Sequence, residues 1–172
     1  VEFELTGDNG PQLVTSGPTG TYSFTVSEGS PNEIGARKIN DPSTPGGVTN
    51  GISTNDAVLI QQHFNNSVSL TSPYKILAAD VNNNAGIDIF DALLVQQLVL
   101  GIENTLDRYW HFVPNELGVF SDPTKPFDNP YDTARTYITG QVFSDQINQD
   151  FIGAKVGDVN NSWNFNTARL AR

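Results

Sequence analysis

Asp80, Asn82, Asn84, Asp88 and Asp91 put side-chain oxygens at the first, third, fifth, ninth and twelfth positions of one stretch, Asp80-Val-Asn-Asn-Asn-Ala-Gly-Ile-Asp-Ile-Phe-Asp91. Gly86, at the seventh position, adds a backbone carbonyl, and apolar Ile87 at the eighth ties the loop to a core. Calcium takes about six to eight oxygen ligands, and a loop of this length opening a helix supplies them at this spacing. Two positions depart from the usual pattern. The twelfth is Asp rather than the longer Glu, and the sixth is Ala85, with the glycine displaced by one. Asn and Asp also build turns and helix caps without any metal, so a purely structural turn is the competing reading.

The second half of this stretch recurs upstream. Gly51-Ile-Ser-Thr-Asn-Asp56-Ala-Val-Leu-Ile-Gln-Gln62 aligns with Gly86-Ile-Asp-Ile-Phe-Asp91-Ala-Leu-Leu-Val-Gln-Gln97 at an offset of 35 residues. Each copy reads as a loop, an Asp in the first turn, and a helix with apolar residues at helical spacing. Neither helix can bury its stripe alone, so the two are expected to pack antiparallel. Ser72-Pro73 reads as an N-cap and first-turn proline of a short helix reaching Ala79, and Gly101 reads as a C′ glycine. Counting back from Asp56 puts Pro45 and Gly47 where ligands should stand. Asp41, Asn50 and Asp56, with the Gly51 carbonyl, then make an irregular second calcium site or an empty structural loop. Asp158-Val-Asn160 repeats the Asp-x-Asn opening without the remaining ligands; it caps a metal from a distance or turns the chain.

Around these motifs the chain divides into residues 1–39, 40–106 and 107–172. Val1, Phe3 and Leu5 alternate with Glu2 and Glu4, as in a half-buried strand. Tyr22, Phe24 and Val26 alternate likewise and predict a second strand, and Ile34 to Ile39 a third. Three short strands need a facing layer, so something else must complete the sheet. From Trp110 to Phe143 the chain is aromatic and broken by prolines, which predicts a long irregular wrap packed over the other elements. Phe151–Val156 reads as a late strand.

Across the 172 residues the net charge is −10, which disfavours nucleic acid as a partner. Cysteine is absent, excluding disulfides and thiolate metal sites. No apolar run approaches a membrane span. The chain opens on Val1 and holds no methionine, from which a processed or trimmed product is expected. Its Asn, Thr, Ser, Gly and Pro content and few lysines suit an extracellular protein. The only histidines, His63 and His111, fit no catalytic motif, and His63 aligns with Leu98 of the other copy, as a packed or rim residue would.

Calcium loop-helix repeats with Asp at the twelfth position and no full entering helix resemble dockerin domains. The wider pattern (Gly51 to Asp56, Ser72 to Asn82, Gly157-Asp-Val-Asn160) looks like surface-protein modules of Bacteroidetes-type bacteria, in which a carboxypeptidase-regulatory or Cna-B-like β-domain precedes the dockerin-like pair. Thr19-Gly-Thr-Tyr-Ser-Phe-Thr-Val26 matches the central strand of such β-domains. The resemblance implies an α+β chain: a small Ig/Cna-B-like sandwich over residues 1–39, a dockerin-like pair over 40–106, and the wrap completing the core. It also implies a missing first strand, donated by another molecule or trimmed away. Dockerins meet a cohesin through polar residues at loop positions ten and eleven; here these are Thr54-Asn55 and Ile89-Phe90, and some seventy residues follow.

The expectation for function is a non-catalytic, calcium-stabilised extracellular or bacterial cell-surface module, holding at least one ion and two if the irregular site is real. An open edge at Val1–Leu5 templates an incoming strand. Residues 164–172 are placed to supply one, which gives copies joined head-to-tail in a filament. The alternative is docking to a cohesin-like receptor.

Overall fold

The computed structural model describes residues 1–17, 19–38, 47–116, 118–128, 136–141 and 143–163. The chain is α+β. Its first two strands, β1 (Glu2–Gly7) and β2 (Gln12–Thr15), form an antiparallel hairpin in which Glu2 faces Thr15 and Leu5 faces Gln12. Gly10 donates to the Gly7 carbonyl to close the turn over Asp8-Asn9 and itself takes the left-handed position, φ +79°, as the glycine after such a hairpin turn does. β3 (Pro31–Arg37) pairs with the other edge of β1, and β5 (Thr136–Gln141) pairs with β3, giving the order β2-β1-β3-β5. Arg37 crosses the polar face to Glu2 at 3.2 Å.

This topology corrects three expectations. β1 is no open edge, because β2 and β3 flank it; β2 was not foreseen, since four residues with two apolar members give almost no alternation. Residues 23–26 join neither sheet. Tyr22, Phe24 and Val26 still alternate in burial as expected, but they lie across the apolar face of β1 and β3, against Leu5 and Ile34, as a second layer. Phe3 stacks on Tyr22 with ring centroids 3.8 Å apart. The third strand starts three residues earlier than read, and Ile39 lies outside the described residues. The wrap is also more regular than expected: β4 (Trp110–Pro114) pairs with β6 (Phe151–Lys155) as a two-stranded sheet.

The main core belongs to the helices α1 (Thr54–Phe64), α2 (Pro73–Ala79) and α3 (Ile89–Val99). Ala57, Ile60, Ala92, Val95 and Leu98 meet between α1 and α3, with Ile52, Val81, Val156 and Val159 closing the loop ends. Ala57 and Ala92 occupy equivalent positions of the repeat. Burying each Ile, Val or Leu contributes about 1.5–3 kcal/mol. The repeat extends through both C-termini. Gly101 (φ +69°) and Asn66 (φ +57°) take the left-handed position, and Ile102 and Ser67 donate to the carbonyls of Gln97 and Gln62. Of the wrap's aromatics, Phe112 is buried, while Phe120 and Phe127 pack around Leu77 and Val113. Phe143 is the exception, at 67 % exposed. The Tyr131 and Tyr137 side chains lie outside the described residues. Among the described residues no helix is long and apolar enough to cross a membrane.

Candidate metal centre

The stretch 80–91 folds as a closed loop between α2 and α3. Asp80 ends α2, and Asp88 caps α3 by accepting from Phe90 N at 2.7 Å. Backbone amides fix both key carboxylates. Asp80 accepts from Asn84 N and Ala85 N, each at 3.0 Å. Asp91 Oδ1 accepts from Val81 N at 2.8 Å and Asn82 N at 3.1 Å, while Oδ2 accepts from Asp88 N at 2.8 Å. Asn82 Oδ1 accepts from Asn84 N at 3.0 Å, and the Asn84 amide reaches Asp88 at 3.3 Å. Asn83 and Ala85 take left-handed backbone, φ +57° and +64°. The turn that Gly supplies at position six in other such loops is thus made here by an alanine, at a strain of about 1–2 kcal/mol.

The electrostatics are unusual for a turn. Asp80 is 2 % and Asp91 0 % exposed, and among the described residues neither pairs with a lysine or arginine. Burial pushes both carboxyls above the usual carboxylate range against the pull of the amides; the charge of Asp91 adds to the rise at Asp80, and that of Asp88 to the rise at Asp91. Buried charges without a counter-charge are costly. A hard divalent cation is the partner that this donor set fits: Asp80, Asn82, Asn84, the Gly86 carbonyl, Asp88 and Asp91 offer oxygen only. Among the described residues no three His, Cys, Asp or Glu converge. The loop instead combines carboxylates with amide and carbonyl oxygens.

The other sequence-derived candidates regroup. Asp41 lies outside the described residues. Asp56, Gly51, Asp158 and Asn160, assigned to two separate weak sites, come together. Asn160 N donates to Asp56 Oδ1 at 2.9 Å across 104 residues of chain, and Asn160 Nδ2 reaches Asp56 Oδ2 at 3.3 Å. Asp158 accepts from Ser162 N at 2.8 Å and Trp163 N at 2.7 Å. Ser162 Oγ donates to the Gly51 carbonyl at 2.8 Å, and Ser53 N donates to Asp56 Oδ2 at 2.9 Å. Asn161 has φ +61°, as Asn83 has +57°.

These bonds reproduce the 80–91 loop with its chain cut. Residues 158–163 form the front half and 51–56 the back half. Asp158 stands where Asp80 does, Asn160 where Asn82 does, Ser162 for Asn84, Gly51 for Gly86, Ser53 for Asp88 and Asp56 for Asp91. The two fronts also adjoin, since Gly157 N donates to the Ala78 carbonyl at 2.8 Å. Burial, then the charge of Asp56, raises the Asp158 carboxyl as well. Sequence reasoning missed Ser53 and Ser162. The signal was available: Asp158-Val-Asn-Asn161 is identical to Asp80-Val-Asn-Asn83, and Gly51-Ile52 to Gly86-Ile87.

Both histidines have structural partners. His63 Nδ1 accepts from Leu70 N at 3.1 Å, and burial lowers its pKa. His111 lies buried with Nδ1 3.2 Å from Arg108. Comparison with protein-family models, with curated proteins and with solved structures gave no match.

Proposed function

We propose that this chain is a non-catalytic, calcium-stabilised structural module of the bacterial cell exterior, a subunit that joins its neighbours head-to-tail by strand exchange. The observation that carries this reading is the half-built second layer of the larger sheet. Residues 23–26 run extended over the sheet without joining it, and a groove of about 830 Å³ opens between 19–28 and 143–150. Leu5, Phe24 and Val26 are among the residues that line it, as are Phe143 and Ile147 at 67 % and 74 % exposure. An extended segment with alternate apolar side chains matches such a slot in both backbone pairing and pockets. It would complete a sandwich like that of the Cna-B-type β-domains that 19–26 resemble. Residues 164–172, the expected donor, lie outside the described residues. Because a chain that gives and receives at different places cannot close on itself, filaments follow.

Calcium at 80–91 has a scaffold role in this reading. It neutralises Asp80 and Asp91 and locks the loop from which α3 grows, so that folding and metal binding are coupled.

A second reading, docking to a cohesin-like receptor, is favoured by one feature. Ile89, Phe90, Leu93 and Leu100 are all exposed along one side of α3, starting at the two loop positions by which dockerins meet their partner. Negative-stain microscopy of the purified protein separates the two. Filaments that shorten in chelator are expected; a monodisperse monomer that captures a cohesin overturns the fibre reading in favour of docking.

A further inference from the structure

The split loop does more than join distant parts of the chain. We infer that it is a second calcium site, with Asp158, Asn160 and Ser162 from the C-terminal part and the Gly51 carbonyl, Ser53 and Asp56 from the loop before α1 as its oxygen ligands. It rests on the reading that the contiguous loop takes calcium, and differs from the site first expected there, which drew on Asp41 and Asn50.

Loop shape alone does not make a metal site, since amide-capped aspartates also build plain turns. The deciding atom is Asn160 Oδ1. It is shut away from solvent and, among the described residues, accepts no hydrogen bond. Its amide is held against Asp56, whose two oxygens accept from the backbone N and Nδ2 of Asn160. Oδ1, on the same amide as Nδ2, therefore lies near that carboxylate. A buried acceptor left without a partner costs about 1–3 kcal/mol, and two buried carboxylates beside it exclude any explanation by a further anion. A cation shared with Asp56 and Asp158, which lie close enough for one charge to act on the other, would satisfy this oxygen and both carboxylates at once. Its ligands would be two carboxylates, one amide, two hydroxyls and one carbonyl, a hard set with fewer charges than the contiguous loop. Lower charge gives weaker calcium affinity, so this site fills second.

The consequence is topological. A cation here clips residues 158–163 to the start of α1, closing a loop of about a hundred residues, and constraints that close long loops remove the most chain entropy.

Trp163 provides a local reporter. Its backbone N is bonded to Asp158, whereas the matching place in the contiguous loop is Ala85. Terbium is the probe, read by tryptophan-sensitised emission, with calcium counted by calorimetric titration on the full chain. The parent is expected to bind two calcium ions and to sensitise terbium. Asp158→Ala should bind one and lose the emission; Asp80→Ala should bind one and keep it. A direct ligand should matter more than an outer-shell partner, whose loss costs about 10–100-fold in affinity. Exposed Ser162→Ala, which spares the core should Asp158→Ala not fold, is thus expected to weaken terbium at least about tenfold. A parent that binds a single ion, abolished by Asp80→Ala, overturns the split site and leaves the contiguous one standing. A parent that binds none overturns both. Unchanged emission in Asp158→Ala or Ser162→Ala overturns the split site alone.

Discussion

Asp80→Ala combined with Asp91→Ala should melt well below the parent in calcium and close to it in chelator. An ion present at a hundred times its dissociation constant stabilises the folded state by about 2.7 kcal/mol. In a chain of this size each kcal/mol moves Tm by roughly 2–4 °C, so losing the contiguous loop's ion should cost about 5–11 °C. In chelator two effects oppose. Five backbone amides lose their acceptor, but two buried charges vanish, and the difference from the parent should be a few degrees at most. The calcium response left in the double variant belongs to the split loop.

The same carboxylates set the pH dependence. In the metal-free chain burial raises the folded-state pKa of Asp80 and Asp91 above the usual 3.8. Their contribution to stability is therefore fully present below that value and is lost as pH rises through the folded values. Calcium competes with protons for the same oxygens, so the Tm gained from calcium should shrink as pH falls into the raised range. Thermal melts of parent and variant, with and without chelator, check both points. Equal melting of the parent in calcium and in chelator would remove the idea.

Gly51→Ala should have the second large effect. Gly51 has φ +82°, which an L-residue adopts at a cost of about 1–2 kcal/mol. The added Cβ would also stand 2.7 Å from Trp163 N and Cα and 2.8 Å from Asp158 Oδ2. Two of these are backbone atoms that cannot swing aside, so the segment 158–163 must shift, at roughly a further 1–3 kcal/mol. The expected result is a Tm lower by several degrees and a red-shifted tryptophan emission as Trp163 leaves its edge contact with Trp110. The matching Gly86→Ala should be milder, because its Cβ would meet only Asn84 Oδ1, at 3.5 Å. If the two variants melt and emit alike, the segment is not seated on Gly51 as described.

How much of this was readable in the residues differs from element to element. Both long helices were legible because period, cap and repeat agree over eleven residues each. α2 was legible from Ser72-Pro73 alone. The contiguous loop could be placed because its donors are consecutive, so spacing maps directly onto geometry. The split loop could not, because spacing along the chain says nothing of two halves separated by a hundred residues; only the repeated Asp-Val-Asn-Asn hinted at it. β2 was hidden by its shortness, although Asp8-Asn9-Gly10 marked the turn before it. Tyr22–Val26 misled for a physical reason: period-two burial reports an extended chain against a core, and not whether its backbone bonds to a sheet. β4 and β5 went unread because the prolines nearby argued for irregular chain, and proline is tolerated at strand ends, as Pro114 is in β4.

The most direct test is a crystal structure grown in ample calcium. The expected result is an ion within about 2.3–2.6 Å of oxygens from Asp80, Asn82, Asn84, the Gly86 carbonyl and Asp91. A well-ordered loop at 80–91 that holds no ion under those conditions would contradict the account.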